Sequence, residues 1–530
     1  MNRRVAASQV LLLLLLGLAA AALLAPREAR GWWLAANTVR LAVVTCALAV
    51  PLGTALAILL FRTDLPGRRT LLSVLAWLLF VPLFLQVGAW QAGFGLQGWQ
   101  TLAGMGPAWL EGFRGAAWVH AAAAVPWVAL IVGIGLRTIR PELEEAALLD
   151  ASPLEVLWHV TLPHVAPLLL ATVLWVSITV AGEIAVTDMF QVRTYAEELY
   201  TEIALGGTLD EAPLRILPGI VVTGWMALAA TLLVLRLAPR ERQAPSRPPL
   251  SFQLGRWRWP LFALVVVWVA LLVGLPMASL AWKCGVEVVQ MPLGRERHWS
   301  LVKCLAIVVG SPGRYHREIA SSLITGSTAA TAATIVGALF AWGARRSRGW
   351  SGALVASIAC GLALPGPVLG IAIIKLMNRP GWPWALYLYD RTIVPCVVAQ
   401  MVRALPLACL MLWYAFETIP ADELEAAELD GAGAWARFRR VALPQRWFAV
   451  VAAWLMALAV AIAEIGATIL VVPPGVEPLS VRISGLLHYG VEDQVAGICL
   501  GLGILYFALV GTAVLFGKHW SRPAAKTRRH

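Results

Sequence analysis

The sequence predicts an all-α integral membrane protein of about twelve transmembrane helices, arranged as two tandem six-helix units. Three observations predict it. Of 530 residues, 59% are hydrophobic and only 14% charged, and the mean hydropathy is +0.75, far too apolar for a soluble chain of this length. The apolar residues come in blocks of about 20 or more, the length a helix needs to cross the bilayer core. A charged and turn-rich stretch in the first half recurs in the second.

The first six spans fall at roughly 5–25, 36–61, 70–93, 116–137, 164–189 and 214–236. The second six fall at roughly 259–283, 319–344, 350–376, 392–416, 445–471 and 494–517. Arg3 and Arg4 ahead of Val5 to Ala25 fit a signal peptide or a first helix; the run is long for a signal peptide, so an uncleaved helix is expected. Residues 237–258 hold Pro239, Pro245, Pro248 and Pro249, many charges and no apolar period. They read as a linker between a first unit, 1–236, and a second, 259–517, followed by a basic tail, 518–530.

The net charge is +12. Arginines gather between spans two and three (Arg62, Arg68, Arg69), in the linker, between spans eight and nine (Arg345, Arg346, Arg348) and in the tail. All these segments lie on one side if both termini are cytoplasmic, as the positive-inside rule requires. That accounts for the charge without a nucleic-acid partner and fits a multi-pass membrane protein with both termini cytoplasmic. The long loop 284–318, with Arg295, Arg297 and Arg314, is the exception.

Seven scattered cysteines form no C-x-x-C pair, and no metal or redox site is expected. Cys284 and Cys304 flank one polar loop, and a disulfide between them stays open if that loop is extracytoplasmic. His120 and His159 are single and suggest no metal site.

The repeat is specific. Glu145-Ala-Ala-Leu-Leu-Asp150 precedes Leu162-Pro163, and Glu425-Ala-Ala-Glu-Leu-Asp430-Gly431 precedes Leu443-Pro444. One offset of 281 residues relates Pro163 to Pro444, and Glu183-Ile-Ala-Val-Thr187 to Glu464-Ile-Gly-Ala-Thr468; the first loop is one residue shorter. Ancestral duplication explains two similar bundles. It does not explain why loops at 138–163 and 417–444, which ordinarily drift, keep the same acid, small-residue pair, Asp and Leu-Pro.

Glu-Ala-Ala-x-Leu-Asp reads as a short helix of strong formers with an acid near its start. Gly431 then turns the chain without a Cβ penalty. A second short helix, Ala434 to Val441, follows, and Pro444 is expected to break it and start the next span. The result is a two-helix finger whose alanines admit a close partner and whose acid offers a charge-assisted contact. It holds no catalytic set.

These residues resemble the EAA loop of binding-protein-dependent ABC transporter permeases, E-A-A-x-x-x-G followed by I/V-x-L-P. The resemblance covers nearly the whole chain as two permease units. Asn37-Thr-Val-Arg40, and the helix end Phe61-Arg-Thr-Asp-Leu-Pro-Gly-Arg-Arg69, also resemble that family. It implies Glu145, Ala146, Ala147, Asp150, Leu162 and Pro163, with Glu425, Ala426, Ala427, Asp430, Gly431, Leu443 and Pro444, as residues coupling to two ABC ATPase subunits. ATP and Mg would be bound by those partners, since the chain has no G-x-x-x-x-G-K-[S/T] loop and no cofactor of its own. An extracytoplasmic solute-binding protein would deliver the cargo. Asp150-Ala-Ser-Pro153 lacks the motif's glycine, so Pro153 is expected to end the first finger's helix in its place. Glu464-Ile-Gly-Ala-Thr-Ile-Leu-Val-Val-Pro-Pro-Gly475 looks most like ferric iron permeases, with thiamine, polyamine and sulfate permeases close by.

Three charges inside spans are candidates for the pathway. Arg403 is about 18 Å into its helix, near the midplane. It is either a pathway residue or half of an ion pair, with Glu464 the natural partner. Glu183 and Glu464 lie toward the outer ends of their helices; they are either solvated there or line the path, where two carboxylates would suit a ferric cation. An ion-coupled secondary transporter is the rival from another class. It is expected to show broken helices and midplane coupling residues, but it gives no reason for a duplicated docking loop. A membrane enzyme would need a convergent catalytic set, which is not found, and a scaffold would not transport.

Overall fold

The computed structural model describes residues 29–205, 217–237, 250–291, 294–488 and 493–504. The first predicted span, the centre of the linker, most of the last span and the basic tail lie outside the described residues. Seven helices are long and apolar enough to cross a membrane: Arg30–Arg62, Gly112–Leu136, Pro153–Gly182, Leu217–Arg236, Gly255–Gly285, His316–Ala344 and Val394–Glu417. With three bent pairs counted as single spans there are up to 10 among the described residues. The protein is a multi-pass, all-α membrane protein, with one small hairpin, Val286–Met291 against Gly294–Trp299.

Three spans expected to be continuous are not. The third bends by 102° between Arg68–Leu78 and Leu83–Leu102, and the ninth by 110° between Arg348–Ala363 and Gly366–Met377. Both breaks sit at a proline in extended geometry, Pro82 (ψ 147) and Pro365 (ψ 149). Proline has no N–H for the helix ladder and pushes the residue before it out of the α region, as Leu364 (ψ 115) shows. The eleventh bends by 80° between Ala434–Gln445 and Trp447–Ala463, whereas its counterpart in the first half runs straight from Pro153 to Gly182.

Pro163 lies inside a continuous helix, and the break expected at Pro444 falls two residues later, at Arg446 (φ −112). A π turn precedes each, Leu157–Thr161 before Leu162-Pro163 and Phe438–Ala442 before Leu443-Pro444. The widened turn accommodates the missing proline N–H; the first-half helix runs on to Gly182, whereas the second ends at Gln445. Nor does Pro153 merely end the first finger's helix. It opens the second short helix at its first turn, behind a capping box of Ser152 and Glu155.

The halves pack reciprocally. Leu217–Leu237 of the first half lies on Arg348–Ala363 of the second, with Thr223 Oγ1 donating to Ala363 O at 3.1 Å. The helix starting at Asp493 lies on Trp77–Ala92 of the first, with Trp77 Nε1 donating to Gly503 O at 3.2 Å. The end of the linker also docks: Phe252 N bonds Arg62 O at 2.8 Å and Leu254 N bonds Asp64 Oδ1 at 2.9 Å.

Candidate functional site: two fingers and a central cavity

The first finger is Pro141–Ala147 followed by Pro153–Val156, and the second Ala421–Leu429 followed by Ala434–Arg437. Gly431 turns the second at φ 80, a left-handed conformation open to glycine. Glu145, Ala146, Asp150, Glu425, Ala426, Asp430 and Gly431 are exposed, and Ala147 and Ala427 half-buried. The tips are bare hydrophobics: Leu149 is 85% and Leu429 89% exposed, and Trp158 and Trp435 both 62%. Large apolar side chains left bare beside exposed acids make each finger a candidate interaction face.

An arginine holds the helix end that leads into each finger. Arg62 Nη1 donates to Leu136 O at 2.9 Å, and Arg345 donates to Phe416 O. Beyond that the anchors differ. Arg62 also pairs with Glu144, both side chains wholly buried. Thr161 Oγ1 donates to the same carboxylate at 2.7 Å, and the guanidinium lies 5.6 Å from the centre of the Phe252 ring. In the second finger Leu424 replaces Glu144 and packs among Phe416, Phe438 and Trp342. The sequence reading singled out Glu145 and passed over its neighbour. The signal was there in helical spacing: Pro141, Glu144 and Leu148 share one face.

The second feature is a cavity of about 270 Å³ between the halves, lined by Leu79 to Pro82, Glu183, Gly366, Arg403 and Glu464 to Gly466. The helix breaks of both halves meet there. A Cβ on Gly366 would lie 2.7 Å from Gly466 Cα, so these two breaks touch backbone to backbone.

Glu183 and Glu464 are not solvated at an interface. Each sits in extended geometry at the end of its helix and caps the short helix that follows. Glu183 accepts from Ala185 N at 2.6 Å and Val186 N at 2.9 Å. Glu464 accepts from Ala467 N at 2.7 Å, Thr468 N at 2.9 Å and Thr468 Oγ1. The repeated Glu-Ile-x-x-Thr is therefore a helix-break motif. Arg403 does not form the expected pair with Glu464: its Nη1 donates to the carbonyls of Leu364 at 3.0 Å and Gly361 at 3.4 Å, the freed acceptors above the Pro365 break.

Away from the fingers and outside the long spans, His488 Nε2 lies 3.2 Å from Asp188 Oδ2, joining the two halves. The hydrogen bond to Asp188 pushes the imidazole up to about 9 from 6.5, against the effect of burial. The folded-state value exceeds the unfolded one, so this contact stabilises fully below pH 6.5 and its contribution is lost as pH rises through about 9. Thermal stability in detergent is expected to fall across that window, and His488→Gln to remove that part of the slope. An unchanged slope in the variant would show that the pair contributes nothing.

Residues 333–521 match the family model described as binding-protein-dependent transport system inner membrane component. The chain is also similar to the molybdenum transport system permease protein ModB of Azotobacter vinelandii, 28% identical over 198 residues, which cover 36% of this chain and 85% of that protein. The family match takes in the second finger, Arg403 and the Glu464 break. On these findings the chain is a multi-pass membrane protein whose residues 333–521 match the permease component of binding-protein-dependent ABC import systems.

Proposed function

We propose that the chain is a fused permease of two units, 1–236 and 259–517, worked by two ABC ATPase subunits at its fingers and fed by an extracytoplasmic solute-binding protein. The observation that carries this is the duplicated finger, with an exposed Glu-Ala pair and a bare leucine in both copies. Broken helices, expected of the ion-coupled rival, are present and no longer discriminate; the duplicated docking surface does. ATP-driven closure of the motor subunits moves the fingers, each finger carries its bundle through its arginine anchor, and the helix breaks around the cavity give way between inward and outward states. Charge and small residues on the finger serve docking, and hydrolysis belongs to the partners.

For the cargo, a small tetrahedral oxyanion is the better-supported reading. Arg403 brings a cation to the cavity wall, and both carboxylates there are already engaged by backbone N–H groups. The similarity to a molybdenum permease points the same way. Ferric iron, which the permease resemblance implied, is the second reading. It rests on those two carboxylates, which would have to leave their caps to become hard oxygen ligands.

The test is uptake into proteoliposomes holding this chain with its ATPase and binding protein. Molybdate is expected to accumulate with ATP and to be insensitive to a proton ionophore. Glu425→Lys is expected to cut uptake at least tenfold at unchanged protein yield, because the exposed finger carries little fold stability. Uptake intact in that variant would refute docking through the finger, and accumulation of ferric iron in place of molybdate would assign the second reading.

A further inference from the structure

The span Gly255–Gly285 starts beside Asp64, at the level of the first finger's anchor, and runs 31 residues, about 46 Å at 1.5 Å per residue. Its far end carries Cys284, on the membrane face opposite the fingers. The chain then makes the hairpin Val286–Met291 and Gly294–Trp299 and returns into the helix Leu301–Arg314, whose first turn carries Cys304. The hairpin is closed at its base by Ser300 N to Gly285 O at 2.8 Å and Lys303 Nζ to Val286 O at 2.5 Å. Directly beneath that closure the two cysteines meet. Both are buried, and Cys284 Sγ donates to Cys304 O at 3.6 Å, so the two cysteines are in direct contact. The return helix leaves Val302 and Val309 more than 70% exposed, so it lies along the surface with an aliphatic face outward.

We propose that Cys284 and Cys304 form a disulfide that clasps this hairpin to the extracytoplasmic end of the seventh span. Both thiols are held together by elements that are already closed by hydrogen bonds, so little backbone movement is needed to bond them. The oxidation is a thiol–disulfide exchange. The two thiols give up two protons and two electrons as the S–S bond forms, and a protein disulfide of the oxidising compartment takes them up and becomes two thiols. The placement rests on the reading that the fingers face the cytoplasm.

The cleavage pattern makes the test direct. Trypsin cuts after Lys283, Arg295, Lys303 and Arg314, which places each cysteine in its own peptide, 284–295 and 304–314. Membranes containing the full chain are alkylated to block free thiols and digested without reductant. The two peptides are expected as one linked species that separates on reduction. Both peptides found alkylated, or 284–295 linked to the Cys499 peptide instead, would overturn the proposal. Trypsin added outside intact spheroplasts adds the sidedness: it is expected to cut at the exposed Arg297 and leave fragments joined until reduced. Cutting from outside with both peptides alkylated sinks the disulfide alone. Cutting only in inside-out vesicles sinks the orientation of the fingers as well.

Discussion

Replacing Arg62 with methionine is expected to destabilise the protein by about 3–5 kcal/mol, because it leaves the Glu144 carboxylate buried without its partner. Both side chains are fully buried, and the guanidinium also holds Leu136 O. The carboxylate would keep only the Thr161 hydroxyl. The control follows from the second finger, where Leu424 takes the place of Glu144. Combining Arg62→Met with Glu144→Leu removes both charges, and most of the lost stability is expected to return, since apolar replacement of a buried pair is often neutral. Thermal unfolding of the purified protein reads both. A single variant within about 1 kcal/mol of the parent, the range of a solvent-exposed pair, would show that the anchor is not closed to water. If the double variant regains stability but not uptake, the pair transmits motion as well as fastening the finger.

Glu464→Ala is expected to have the second large effect, on the cavity. It strips the acceptor from two buried N–H groups and one hydroxyl, and each buried donor left unmet costs about 1–3 kcal/mol. The break at Gly466, packed against Gly366, would lose its cap. Uptake is expected to fall more than tenfold. Glu464→Gln should be intermediate, because an amide keeps one acceptor oxygen but turns its NH2 toward a donor. Glu183→Ala should cost less, since that side chain keeps 15% exposure and water can replace it. Equal behaviour of Glu464→Gln and the parent in stability and in uptake would remove the capping role.

That the chain crosses a membrane many times was readable along the chain because hydrocarbon thickness sets a length and hydropathy reports it. The fingers were readable because the same few residues occur twice at one offset. The Leu-Pro pairs and the third and ninth spans were misread for a common reason. Proline announces a perturbation, yet whether the chain absorbs it in a π turn, as at Pro163, or breaks, as at Pro82 and Pro365, depends on what surrounds the freed carbonyls. At Pro365 an arginine from another helix waits for them. At Pro163 the helix itself carries on, while at Pro444 the π turn only moves the break on to Arg446.

Local chemistry alone thus determined that this chain crosses a membrane many times and presents paired, acid-and-alanine fingers, because length, hydropathy and repetition are properties of neighbouring residues. The roles of Arg62, Glu144, Arg403, Glu183 and Glu464 were decided elsewhere. A buried charge takes its meaning from the groups that face it: for Arg62, Glu144 and Arg403 these come from other helices dozens of residues away, and for Glu183 and Glu464 they are the next few N–H groups, freed only because the packed bundle breaks the helix there.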